Sequence, residues 1–193
     1  MMMPNTPLPA LVNLALSPLQ AQQAQWQQAI AALVAPYSAS LSPAKGVLPV
    51  QVLATEALSH APLFWVAAEA ASLSTAPEVW AASYLAVDLC YPGVALLHGV
   101  SKAMPNSTRP YKHPQRAALG AVVLQAARHP ALGLRLLLVE MDDPQGAKKN
   151  IGALGFCRQH GFQPLHRLAL PQGLAHPQPL EGCVLWGLVL GNK

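Results

Sequence analysis

Residues 150–162 read NIGALGFCRQHGF. The stretch has the outline of a short helix. Arg158 and His160 fall in its last turn, where cations favour the dipole, and Gly161 stands where a C′ glycine belongs. Phe162 then opens the next strand. A plain helix does not account for Gly152 and Gly155, each of which costs about 0.5–1 kcal/mol relative to alanine. Two such glycines, three apart, predict that a ligand or a neighbouring backbone approaches that face closely.

The neighbouring segments set the stretch in an α/β frame. LRLLLVEM (134–141) is a near-continuous apolar run, which predicts a strand buried on both faces. The loop MDDPQGAKK joins it to the helix. RAALGAVVLQAARHP (116–130) reads as a helix stopped by Pro130. Downstream, QPLHRLALP (163–171) and CVLWGLVL (183–190) read as two strands. Toward the N-terminus, LVNLAL (11–16) reads as a first strand. Ser17-Pro18 then gives a helix start with Ser as N-cap and Pro at the first helical position. That helix places Leu19, Trp26, Ile30, Leu33 and Val34 on one face and a glutamine-rich, solvated face opposite. LFWVAAEA (63–70), VWAASYLAV (79–87) and VALLHGV (94–100) read as strands joined by turns at Ser74-Thr75 and Tyr91-Pro92-Gly93, against the weak strand propensity of alanine. The order predicts an α/β or α+β domain, a sheet with helices packed on it.

Composition narrows the function classes. The chain has 193 residues, 52% apolar and 10% charged, which suits one domain over 1–193. Apolar runs are broken by Glu69, Asp88 and Pro92-Gly93, and the run from Ala117 to Ala127 is about half the roughly 20 residues of a membrane span. No membrane partner is therefore expected. Cys90, Cys157 and Cys183 form no CxxC pair, so neither a disulfide framework nor a metal site is indicated, and a cytoplasmic location is the natural expectation. Net charge is +4. A nucleic-acid reading through Arg109, Lys112, Arg116 and Arg128 finds no dense basic run and only 6% aromatic residues, so no nucleic-acid partner is expected. The charge suits an anionic small ligand at least as well. Gln115-Arg116-Ala117-Ala118-Leu119-Gly120-Ala121 opens a helix with small residues and has Lys102, Arg109 and Lys112 nearby, which suits a phosphate held on helix N-terminal amides. Candidate bases are His98, Glu140 at the end of the apolar strand, and Asp88.

Taken together, the two motifs resemble the GNAT superfamily of acyl-CoA-dependent N-acyltransferases. That family's cofactor loop has the form Q/R-x-x-G-x-G/A. Gln115 takes the first position, Ala118 replaces the first glycine and Gly120 takes the second. Many members also carry N-x-x-A-x-x-[LF]-Y-x-x-x-G-F after the central strand. Asn150, Ala153, Phe156, Gly161 and Phe162 match in register, and Cys157 falls on the tyrosine. The resemblance covers residues 94–190 through its motifs and residues 1–93 only by element order.

The resemblance implies a mixed, mostly antiparallel sheet flanked by helices. It implies acetyl-CoA or a longer acyl-CoA as co-substrate, no metal, and a small-molecule or peptide amine as acceptor. By carry-over, Arg116 through Ala121 would hold the pyrophosphate, so a carboxylate at position 120 would oppose it. Asn150 and Ala153 would lie beside the pantetheine arm. Cys157 would take the tyrosine's place as the acid that protonates the departing thiolate. Its reference pKa of about 8.5, against about 10 for tyrosine, allows nearly balanced transfer. The rival reading of Cys157 is a small buried hydrophobe, and with it a non-catalytic CoA-binding or partner-binding module. CVLWGLVL, as an apolar terminal strand, suits pairing with a second copy, and so a homodimer.

Overall fold

The computed structural model describes residues 10–16, 20, 23–38, 64–74, 76–87, 91–101, 114–142, 151–174, 177 and 183–191. Among them, strands β1 (Leu11–Leu16), β2 (Phe64–Glu69), β3 (Val79–Val87), β4 (Val94–Ser101), β5 (Leu136–Asp142), β6 (Gln163–Pro164) and β7 (Cys183–Val189) form one sheet. Helix α1 (Ala24–Ser38) lies between β1 and β2, α2 (Pro114–Ala127) between β4 and β5, and α3 (Ile151–Gln159) between β5 and β6. The sheet order is β1-β2-β3-β4-β5-β7-β6, antiparallel at every pairing except β4 with β5.

The sheet buries both faces. One face carries Trp65, Ala67, Ala81, Leu85, Ala95, Leu97 and Leu137, packed against Leu119, Val123 and Leu124 of α2 and Cys157 of α3. The opposite face carries Phe64, Val66, Ala82 and Tyr84 against Trp26, Ile30 and Leu33 of α1. Ala67, Ala68, Ala81 and Ala82 are all fully buried. Their short side chains let helices approach the sheet from both sides, and this burial overrides alanine's weak strand propensity. Leu136, Leu137 and Leu138 are equally buried, as the unbroken apolar run predicts. Helix α2 ends before His129, which precedes a proline and takes extended angles (φ −70°, ψ 127°).

Two expectations change. The start at Ser17-Pro18 lies outside the described residues, and α1 is seen from Ala24. QPLHRLALP is not a full strand. Only Gln163 and Pro164 pair with β7. The chain then turns through a 3-10 segment, Leu165–Arg167, and lays Leu165, Leu168 and Leu170 over Val94, Leu136, Leu138 and Leu185. Pro164 has no amide with which to extend the ladder. Gly187 of β7 leaves room for this cover, because a Cβ there would stand 2.8 Å from Leu168 Cδ2. With β6 beside it at Gly187 and Trp186, β7 lies within the sheet and is not its edge strand there.

Candidate functional site

The sheet opens between its two parallel strands. Strand β4 pairs with β5 only at Val94↔Leu136, Ala95↔Leu137 and Leu96↔Leu138. Yet β4 continues alongside β3 to Ser101, and β5 continues alongside β7 to Asp142. Beyond Leu96 and Leu138, therefore, each strand keeps its outer partner and loses its inner one. Facing strand edges with no ladder between them leave backbone N–H and C=O groups that need other partners.

Helix α2 carries the chain from the C-terminal end of β4 back to the N-terminal end of β5. Because the two strands are parallel, α2 must run opposite to them, and its N-terminus lies at the open end. The same topology brings the N-terminus of α3 to the end of β5. Pro114 is the first residue of α2, so the first-turn amides without helical partners are those of Gln115 and Arg116. Amides of this kind at a helix start can hold an anion.

This corrects part of the expected phosphate loop. Ala118, Leu119, Gly120 and Ala121 lie within α2, where their amides bond to the preceding turn. Leu119 is fully buried in the core. Gly120 faces α3, where a Cβ would meet Phe156 Cε2 at 2.8 Å and Cζ at 3.0 Å. Its lack of a side chain admits an aromatic ring, and a carboxylate at 120 would strike that ring. Gly155, expected to mark a close approach, is exposed, and an added Cβ there would meet nothing within 4 Å. Nothing in the structure explains glycine at 155. The close approach exists, but on the partner helix. Asn150 lies outside the described residues, as do Asp88, Lys102, Arg109 and Lys112. Ala153 is half-buried and packs against the core beside α2. Of the basic residues in the nucleic-acid reading, Arg128 is exposed just past the end of α2.

Cys157 is set by the helix cap. The Phe162 amide donates to Cys157 O (2.9 Å) and the Gly161 amide to Arg158 O (3.3 Å), with Gly161 at φ +81°. This is a Schellman cap, in which the residue at Cys157's position and the one at Phe162's come together in apolar contact. Both are buried in the same cluster. Burial pushes the Cys157 thiol up to about 12, so it holds its proton, and with no exposed surface it has no open path to a thiolate. The cap geometry accounts for Cys157 as a packing residue, against the expectation of a proton donor.

His98 and Glu140 fare differently. Side chains alternate along each strand: Ala95 and Leu97 of β4 and Leu137 and Met141 of β5 belong to the α2 face. His98 and Glu140 therefore point to the α1 face. Each stands two residues past the last β4–β5 pair, Leu96↔Leu138, so they flank the opening at one level. His98 is the end of a ring stack. Phe64, Tyr84 and His98 stand opposite one another on β2, β3 and β4. Phe64 stacks on Tyr84 with centroids 5.3 Å apart and planes 7° apart, and Tyr84 on His98 at 4.9 Å and 15°. Burial lowers His98 to about 4, so its ring is neutral near pH 7. Ser83 Oγ donates to His98 O at 2.8 Å and anchors that backbone. Glu140 has one carboxylate oxygen, Oε1, buried without a hydrogen-bond partner. Such a group is costly unless something completes it. The sequence pointed to His98 and Glu140 singly. It missed Phe64 and Tyr84, because only the strand register reveals that they line up with His98.

Among the described residues, no group of three or more His, Cys, Asp or Glu side chains could hold a metal ion, and no helix is long and apolar enough to cross a membrane.

No protein-family model matches the sequence, and no curated protein is significantly similar to it. Solved structures do match in shape. The chain is similar to an acetyltransferase of the GNAT family from Streptococcus pneumoniae, with TM-score 0.58, 16% identity, and coverage of 94% of this chain and 100% of that one. It is similar to the Mycobacterium tuberculosis protein Rv2747, solved in complex with CoA and NLQ (TM-score 0.54, 19% identity, 93% and 99% covered). A third match is yncA from Salmonella typhimurium, solved with its cofactor acetyl-CoA (TM-score 0.57, 11% identity, 95% and 96% covered). The chain thus has the GNAT fold: a mixed, mostly antiparallel sheet flanked by helices.

Proposed function

We propose that this protein transfers an acyl group from acyl-CoA to an amine. The observation that carries the reading is the parallel pair β4–β5, which separates after three rungs with the N-terminus of α2 at its open end. Similar chains whose structures contain CoA or acetyl-CoA support it. The free first-turn amides of Gln115 and Arg116 would take the pyrophosphate. The facing edges of β4 and β5 would take the extended amide-bearing arm, much as a sheet accepts an added strand. Acyl-CoA, as substrate, supplies the thioester carbonyl.

Transfer needs a base for the amine. Glu140 takes that role, directly or through water, because its carboxylate flanks the opening and lacks a donor. The amine nitrogen gives up a proton and forms the new C–N bond as the C–S bond breaks. The thiolate leaves and takes its proton from solvent, since a thiol is far more acidic than an alcohol and its anion departs readily. Neutral His98 forms a wall of the site and helps to position the acceptor. Cys157 packs the core.

Titration of acetyl-CoA into the purified protein tests the reading. Binding in the micromolar to low millimolar range is expected, with displacement by CoA. No binding at millimolar acetyl-CoA would overturn it. The burial of Cys157 favours a second reading, a CoA-binding module without turnover. Binding without any CoA release across a panel of amines would establish that one instead.

A further inference from the structure

The α1-facing side of the opening has a chemistry of its own. The ladder Phe64–Tyr84–His98 crosses three adjacent strands with nearly parallel rings. The next step of that ladder would come from β5, but β5 has separated from β4 by this level and carries Glu140 there. One face of the His98 ring is thus covered by Tyr84, and the other is turned toward the gap. Across the gap stands a carboxylate with a buried oxygen that has no donor. The adjoining surface on the same face is aliphatic: Leu138 and Leu185, with Leu165 over them.

Resting on the acyl-transfer reading above, we propose that the acceptor is an aromatic primary amine without a carboxylate, its ring extending the Phe64–Tyr84–His98 stack and its nitrogen donating to Glu140. A flat ring gains the offset stacking that the ladder already uses. The ammonium completes the orphaned oxygen with a charge-assisted hydrogen bond. An amino acid brings a second carboxylate next to that of Glu140, and the two like charges repel, whereas a small aliphatic amine leaves the His98 face bare.

The probes are 2-phenylethylamine, phenylalanine and ethylamine. Their binding to the protein without acyl-CoA is read by ligand-observed NMR, and their acetylation by CoA release from acetyl-CoA. 2-Phenylethylamine should bind, and Glu140→Gln should weaken that binding by about 10–100-fold, as expected for losing a hydrogen bond to a charged group. The other two should bind at least about tenfold more weakly, and kcat/KM should follow the same order. Equal or better binding of phenylalanine or ethylamine by the wild-type protein overturns the proposal, and that comparison does not depend on the variant's folding. Failure of the acyl-transfer reading looks different: 2-phenylethylamine binds as expected, but acetyl-CoA neither binds nor is consumed.

Discussion

Replacing Gly120 by alanine tests whether α2 and α3 are fitted to one another. Taken alone, the change should stabilise α2, since alanine is better than glycine in a helix interior by about 0.8–1.0 kcal/mol. The structure predicts the reverse. The new methyl would lie 2.8 Å from Phe156 Cε2 and 3.0 Å from Cζ, well inside contact distance. The ring cannot simply swing away, because it lies against His160 (centroids 4.4 Å) and Phe162 (6.3 Å). Overpacking of this kind costs about 1–3 kcal/mol. Setting it against the helix gain leaves Gly120→Ala destabilised by up to about 2 kcal/mol. Denaturant unfolding of Gly120→Ala, Phe156→Leu and the double variant measures the coupling. Leucine removes the ring, so alanine at 120 should then recover most of its helix benefit, giving a favourable coupling of about 1–2 kcal/mol. A stabilised Gly120→Ala with no coupling to Phe156 would refute the packing account. It would return Gly120 to the role expected from the loop motif, that of leaving room for a phosphate.

Three more outcomes follow from named groups. Because folding lowers His98 from 6.5 to about 4, its contribution is whole above pH 6.5 and is withdrawn as pH falls toward 4, when the unfolded chain takes up a proton that the folded one refuses. The span is about 3 kcal/mol, and His98→Phe should flatten stability over that window. Identical pH slopes in the two proteins would contradict it. Cys157 should escape iodoacetamide in the native protein, and Cys157→Ser should cost about 1–3 kcal/mol through a buried hydroxyl; rapid native labelling, located by peptide mass, would show the thiol to be accessible. Gly161→Ala should lose about 1–2 kcal/mol because φ is +81°, whereas a neutral substitution would mean that the cap can rearrange.

Much of this molecule is written locally. The strands at 11–16, 79–87 and 94–101, the end of the helix before Pro130, and the Gly161 cap lie where apolar runs, proline and glycine place them to within a residue or two. QPLHRLALP misleads because apolar residues that cover a sheet face read like residues that join it. The site is less legible for a related reason. His98 and Glu140 could be picked out by residue type, but their common face and level depend on pairing between distant strands. Phe64 and Tyr84 look like ordinary strand aromatics until the register sets them beside His98. Cys157 and the inner glycines were ambiguous because a small residue can admit a ligand or a neighbour. The helix cap decides for Cys157, and on the facing helix the contact with Phe156 decides for Gly120.

The parting of β4 and β5 also bears on how the molecule resists deformation. An unbroken sheet spreads strain over every rung. Here two groups of strands, β1-β2-β3-β4 and β5-β7-β6, are joined in the backbone ladder by the three rungs at the closed end and otherwise by side-chain packing. Helix α2 is fixed on the first group, α3 continues from the second, and the Phe156 ring against Gly120 is a clasp across the gap. Anything lying between the two groups supplies the missing rungs. Its binding therefore stiffens the whole sheet as well as filling a groove, and slower amide exchange along β4 and β5, out to Ser101 and Asp142, would be its mark.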